Sequence, residues 1–187
     1  MRFLYFTTLV VVCGISLSAI GKSGAPQNSA TKQSARPDDI PKSIAESVGG
    51  TLQFAEGNFL ALAEAMPEEK YSYIPTAGKF EDARSFGEQV KHVACAQFAF
   101  FNEFEGEKPP DDCEKGGHDP SKTKAELIKY LKDSFDYSNG VLATLTAKNA
   151  LDRVEGRYAG PSTKLGISVV AVWHITDHSD NSSSTCA

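Results

Sequence analysis

The chain has 187 residues, of which 41% are apolar and 23% are charged, and this size and composition suit one globular domain. It carries 24 acidic and 19 basic residues, for a formal net charge of -5. Contacts with nucleic-acid phosphates need a basic surface, so this balance argues against a nucleic-acid-binding protein.

The N-terminus has the pattern of a secretory signal peptide, assigned to residues 1–21. Arg2 precedes an apolar run from Phe3 to Ile20, and small residues follow. Cleavage after Gly21 and cleavage after Ala25 both fit the small-x-small pattern. An uncleaved membrane anchor is the alternative, because an apolar run of about 18 residues lies at the short end of the lengths that can span a membrane. The sequence therefore predicts an exported protein, secreted or periplasmic, that leaves the membrane after cleavage.

Residues 22–42 are rich in Ser, Ala, Pro and Lys and predict a flexible linker, because such a segment buries too little apolar surface to offset its ordering entropy.

Cleavage of the signal peptide would leave three cysteines: Cys95, Cys113 and Cys186. An odd number in an exported protein leaves at least one thiol unpaired. Cys95 and Cys113 are one candidate disulfide, which only the geometry of the fold can decide.

The first helix is predicted to begin after Ser43, because Ser43 and Glu46 have the spacing of a capping box. Pro67 ends it. The pair Gly49–Gly50 weakens the first turns, which favours a start nearer Thr51. The apolar or small positions recur at helical spacing: Ile44, Val48, Leu52, Ala55, Phe59, Leu62 and Met66.

Two more helix starts are predicted by the spacing of a capping box, Ser85 with Glu88 and Thr123 with Glu126. Each is followed by an apolar stripe. In the second helix the stripe is Phe86, Val90, Val93, Phe100, Phe101 and Phe104, and in the third it is Ile128, Leu131, Phe135, Leu142 and Leu145. Gly106 stops the second helix.

A fourth segment, "TKLGISVVAVWHITDHS", is rich in β-branched residues that would also suit a strand. We expect a helix, because no second strand is evident to pair with it. Four helices make an all-α four-helix bundle the simplest fold, spanning residues 43–180, with a short last helix and a disordered tail at 181–187.

His174 and His178 lie four residues apart, so on a helix their imidazoles project from one face and can reach one ion. Taken alone, this spacing is a weak signal. His92 on the second helix is the candidate third ligand, and the alternative for it is a structural histidine bonded to a carbonyl. His118, in the turn "KGGHDPS", is predicted to be a solvated loop residue.

Several stretches in order, "MPEEKYSY", "RSFGEQVKH" and "WHITDH", resemble the DinB-like family of metal-binding four-helix bundles, over about Phe59 to His178. The resemblance implies a divalent metal, zinc or nickel, held by His92, His174 and His178. Neutral imidazoles suit both metals, so the sequence does not choose between them. The resemblance identifies no catalytic side chain. It implies a metal-dependent thiol transferase or hydrolase acting on a small molecule. A second copy of the chain, in a homodimer, is a further expected partner.

Three residues near these histidines can each be interpreted in two ways, as part of the metal site or as structural or solvent-exposed residues. Glu88 is a helix cap or an acceptor that steadies His92, and the cap is favoured. Asp177 either orients a ligand or sits in solvent. Cys95 is a soft ligand or a small buried residue, and the second is favoured.

The family's last helix continues past the histidine pair with apolar residues of the type "YGQLVVYLR", whereas this chain becomes polar from Ser179. If codons for such a segment lose one base, the shifted reading frame can encode the sequence from Ser179 to Ala187. Polar residues extend no apolar face, so we expect His178 in a fraying last turn. A non-catalytic bundle that binds metal or a small ligand, impaired by a truncated last helix, is the alternative function.

Overall fold

A computed structural model describes the backbone of residues 40–74, 83–158 and 160–183, with side chains as far as Ser179. The predicted signal peptide, most of the predicted linker and residues 184–187 lie outside this range. Within it, none of the helices combines the length and apolar character needed to cross a bilayer.

Four long helices form the domain: α1 (Ile44–Ala65), α2 (Phe86–Glu105), α3 (Lys124–Leu142) and α4 (Lys164–Ser183). Helices α1 and α2 each pack against both α3 and α4, so α1 lies diagonally opposite α2. This confirms the predicted four-helix bundle. The β-branched segment forms α4, as predicted.

The predicted caps start three of the helices. Ser43, Ser85 and Thr123 each accept a hydrogen bond from the backbone N–H three residues later. At Ser85 and Thr123 the glutamate carboxylate also accepts a hydrogen bond from the cap backbone N–H, which completes the capping box. The expected late start of α1 is wrong, because the helix runs through the pair Gly49–Gly50 without a break. Its Ser43 cap and the burial of Gly49 against α3 offset the low helix propensity of glycine.

The core is made by the apolar stripes predicted for the first three helices, together with residues of α4. Its largest fully buried side chains include Leu52, Phe59, Phe101, Phe104, Leu131, Leu142, Ile167 and Ile175. Leu145 lies past the end of α3 but is still buried. The stripes were predicted well because helical periodicity alone determines which residues share a face.

A short antiparallel hairpin precedes α4 and was not predicted. It pairs β1 (Arg153–Gly156) with β2 (Gly160–Thr163). Two strands of four residues are too short to show a clear alternation in sequence. The hairpin packs on α2, where the Glu103 carboxylate accepts a hydrogen bond from Tyr158 N–H at 2.9 Å.

The last helix is not short, which corrects one expectation. It has 20 residues and ends at Ser183, five residues beyond His178 and three beyond the predicted boundary at 180. Ser, Asp and Asn cost only a few tenths of a kcal/mol each, up to about 0.7, in a helix that is already formed. Ser179 bonds back to the Ile175 carbonyl at 2.8 Å. Loss of apolar residues therefore does not end the helix at the histidine pair.

Candidate metal centre

Two neighbouring helices bring the three predicted histidines together. His92 projects from α2, while His174 and His178 project from α4, one turn apart. The same helices are joined further along by the buried Gln97, whose side-chain amide donates to the Ala171 carbonyl at 3.3 Å. The packing of α2 on α4 therefore places the three imidazoles beside one another.

The Nε2 atoms of the three rings form a nearly equilateral triangle. His92 Nε2 lies 3.2 Å from each of the other two, and His174 Nε2 lies 3.1 Å from His178 Nε2. Nitrogens bound to one zinc-like ion at about 2.0–2.1 Å lie about 2.9–3.4 Å apart, depending on the bond angle. The triangle therefore fits a single divalent ion bound by three imidazoles.

Burial keeps these imidazoles neutral. Burial, together with the neighbouring His178 and His92, lowers the pKa of His174 to about 2. Burial also lowers the pKa of His178 to about 4, assisted by His92 and opposed by the charge of Asp177. The pKa of His92 is lowered mainly by burial, against its hydrogen bond with Cys113. A metal binds imidazole in its neutral form, so all three are ready ligands at neutral pH.

The outer nitrogens of the three rings have different surroundings. His92 Nδ1 lies 2.6 Å from the Cys113 carbonyl oxygen, which can only accept, so Nδ1 carries the proton and Nε2 is left with its lone pair. His178 Nδ1 contacts the side-chain amide of Gln89. His174 Nδ1 is buried and has no hydrogen-bond partner among the described residues. Two of the three candidate ligands thus have a partner on the nitrogen that faces away from the triad, as histidines in known metal sites do.

The other candidates near the triad have structural explanations. Glu88 completes the α2 capping box, as favoured from the sequence. Asp177 is exposed and acts on His178 through its charge. Cys95 is buried in a disulfide with Cys113, so it is not a free soft ligand. His118 is exposed near Asp112, in agreement with the prediction of a solvated loop residue.

Sequence reasoning missed two contributors, Gln89 and the Cys113 carbonyl. Gln89 lies three residues before His92, on the same face of α2, which is a signal that helical spacing could have supplied. Cys95 lies three residues after His92 on that face, so a partner bridged to Cys95 had to lie near the His92 ring. That second signal depends on knowing the disulfide.

Comparison with known proteins identifies relatives of this fold. The family model described as DinB superfamily matches residues 51–179. A solved structure, the crystal structure of a conserved protein from Enterococcus faecalis, is similar with a TM-score of 0.58 and 16% sequence identity. The alignment covers 78% of this chain and 96% of that one, and at this identity it supports the fold alone. None of the curated proteins compared with the sequence matches it.

Proposed function

Because the chain belongs to the DinB superfamily, we propose that it binds a divalent metal ion through His92, His174 and His178 and uses that ion in thiol transfer or hydrolysis. The observation that carries the proposal is the triangle of Nε2 atoms with sides of 3.1–3.2 Å. Three protein ligands leave a further coordination position for water or substrate, which is the arrangement of catalytic rather than structural zinc sites.

Each ligand has a defined task in this proposal. His92 is held by the Cys113 carbonyl and presents its Nε2 lone pair. His178 is steadied by Gln89. His174 and His178 are partly exposed whereas His92 is buried, so a small molecule can approach from the α4 side of the site. When bound, the metal would lower the pKa of a thiol or water in the open position. Zinc and nickel both suit three imidazoles.

A non-catalytic bundle that holds a metal or a small ligand is the second candidate. One observation favours it: in the described part of the chain, the cluster of potential metal ligands contains the three histidines and no carboxylate. A hydrolase or transferase commonly places an acid or base beside its metal. Retention of metal without any metal-dependent reaction would favour this candidate.

Export is part of the proposal and has two supports. Arg2 and the apolar run that follows it have the pattern of a secretory signal. Disulfides such as Cys95–Cys113 form and persist mainly in oxidising compartments. We therefore propose that the protein works outside the cytoplasm, either secreted or periplasmic.

The test is the metal content of the purified protein after loading with Zn²⁺ or Ni²⁺ and removal of excess ion. We expect about one ion per chain, as for a mononuclear three-histidine site, and loss of that ion in His92→Ala. His118→Ala is the matched control, because His118 is exposed in a loop. A wild-type protein that retains no ion, or an H92A variant of native helix content that retains it fully, would contradict the proposal.

The loaded protein is then assayed for transfer of a small thiol to an electrophilic aryl halide and for ester hydrolysis. Turnover that disappears in H92A would support an enzyme. Metal retention without turnover in either assay would support the binding bundle.

A further inference from the structure

We propose that the Cys95–Cys113 disulfide is a positioning element of the metal site, so that the affinity for metal depends on whether this disulfide is oxidised or reduced. The inference rests on the proposed metal site and adds a redox dependence to it. It starts from one contact, the hydrogen bond between His92 Nδ1 and the Cys113 carbonyl.

The disulfide ties this carbonyl to the helix that carries the histidine. Cys95 lies on α2 one turn after His92, and Cys113 begins a short 3-10 turn, Cys113–Lys115. Their Cα atoms are 5.3 Å apart, and both residues are buried. The disulfide therefore links the loop that bears the Cys113 carbonyl covalently to the helix that bears His92.

The acceptor determines which nitrogen of His92 is available. A carbonyl oxygen can only accept, so it selects the tautomer with the proton on Nδ1 and leaves the Nε2 lone pair toward His174 and His178. Without this acceptor, the neutral ring can carry its proton on either nitrogen and can rotate. The fraction of molecules with a correctly presented ligand then falls, and the apparent affinity falls with it.

Other contacts also hold the same loop, and within it the Gly116 N–H donates to the Cys113 carbonyl at 2.9 Å, a local bond that does not tie this carbonyl to α2. The Arg84 guanidinium donates to the Glu114 carbonyl at 2.6 Å, and the Tyr158 hydroxyl donates to the Pro110 carbonyl at 2.9 Å. Gly117 has φ +71, and a Cβ built there would lie 2.6 Å from Cys95 Sγ, so the loop rests on the disulfide. We therefore expect loss of the disulfide to loosen this carbonyl without unfolding the bundle.

The redox step is a two-electron reduction by a dithiol. The Cys95–Cys113 S–S bond breaks, each sulfur receives one electron and one proton to become a thiol, and the dithiol closes to its own disulfide. Reduced Cys95 and Cys113 could themselves bind zinc. The decisive variant is therefore the double substitution Cys95→Ala/Cys113→Ala, which removes the link and both thiols.

The experiment measures the dissociation constant for Zn²⁺ by competition with a chromophoric chelator. We expect the double variant to bind zinc about 10-fold more weakly than the oxidised wild type, at the low end of the range for loss of an outer-shell partner. The second readout is the ¹⁵N chemical shifts of the His92 ring in the metal-free protein. The wild type should show the Nδ1–H tautomer, and the variant a mixture of tautomers.

A double-mutant cycle separates positioning from general destabilisation. In the His92→Ala background, the weaker zinc binding that His174 and His178 still provide should change by less than about twofold when the disulfide is removed, because the ligand that the disulfide positions is absent. Equal zinc affinity of the double variant and the wild type, or an unchanged His92 tautomer, would overturn the inference. A wild type that binds no zinc would instead overturn the proposed metal site.

Discussion

His92 shows how one side chain can satisfy two interpretations. From the sequence, a structural histidine bonded to a carbonyl and a metal ligand stood as alternatives. In the structure Nδ1 faces the Cys113 carbonyl and Nε2 faces the other two histidines. The imidazole has two distinct nitrogens, so the structural hydrogen bond on one leaves the other with the lone pair that the proposed ligand role requires.

Gln89 is a second residue that we expect to position a ring of the triad, that of His178. Its side-chain amide contacts His178 Nδ1 and can present either its oxygen or its NH₂ group. We expect Gln89→Leu to weaken Zn²⁺ binding about 10-fold, because His178 loses the partner that orients its ring. Gln89→Glu should bind at least as tightly as the wild type, since a carboxylate accepts from Nδ1–H and makes the ligand more basic.

The measurement is the same zinc competition, with Gln53→Leu as the control. This substitution makes the same chemical change on α1, where the Gln53 amide contacts Asn139 and not the triad. A Gln89→Leu variant with wild-type affinity would show that the contact with His178 contributes nothing to binding.

At the scale of the helices, the starts were predictable and the irregular pieces were not. Ser85 and Thr123 form complete capping boxes because the cap and its partner are only three residues apart. The β1–β2 hairpin had no such signal, since its support comes from the distant Glu103 on α2. A local pattern cannot show an interaction between residues far apart in the chain.

The cap of α3 gives a prediction for stability. Thr123→Ala removes the hydroxyl that accepts from Glu126 N–H, so this exposed donor in the first turn is left to water. We expect the free energy of unfolding in urea to fall by about 1 kcal/mol. Thr123→Ser keeps the hydroxyl and should be close to the wild type. A serine variant as unstable as the alanine variant would show that the side-chain methyl, and not the cap, matters here.

At the scale of the whole molecule, one carboxyl group is buried between helices. Glu56 on α1 is only 5% exposed and accepts a hydrogen bond from the Asn139 amide on α3 at 2.7 Å. Its other oxygen, Oε1, has no hydrogen-bond partner among the described residues. Burial raises the pKa of Glu56 to about 7, against the effect of Asn139.

This group makes the stability of the domain depend on pH. The folded carboxyl, with its raised pKa, holds its proton more strongly than the unfolded one, whose pKa is about 4.5. Stability is therefore greatest below about pH 4.5 for this group and is lost as pH rises through about 7. The full shift corresponds to about 3 kcal/mol.

We expect Glu56→Gln to remove this contribution, since an amide does not titrate. The measurement is the difference between wild-type and variant unfolding free energies, followed from about pH 4.5 to pH 8. As pH rises over this range, the variant should gain about 3 kcal/mol of unfolding free energy relative to the wild type. Glu107→Gln, at an exposed position, is the matched control and should show no such trend. An equally flat difference for both variants would show that folding does not raise the pKa of Glu56.

The sequence by itself determined the helices, their apolar faces and the identity of the three clustered histidines. Caps and the 3.6-residue period are local, and the spacing of His174 and His178 places both on one helix face. The motif resemblance supplied His92, which spacing alone could not join to the pair.

Only the tertiary structure decided what surrounds those histidines. It closed the Cys95–Cys113 disulfide, placed the Cys113 carbonyl on His92 and buried Glu56 against Asn139. It also carried α4 past His178 despite the polar sequence. These features join residues that are distant along the chain or depend on packing against another element. Their energies arise only once the helices have assembled, so no local pattern records them.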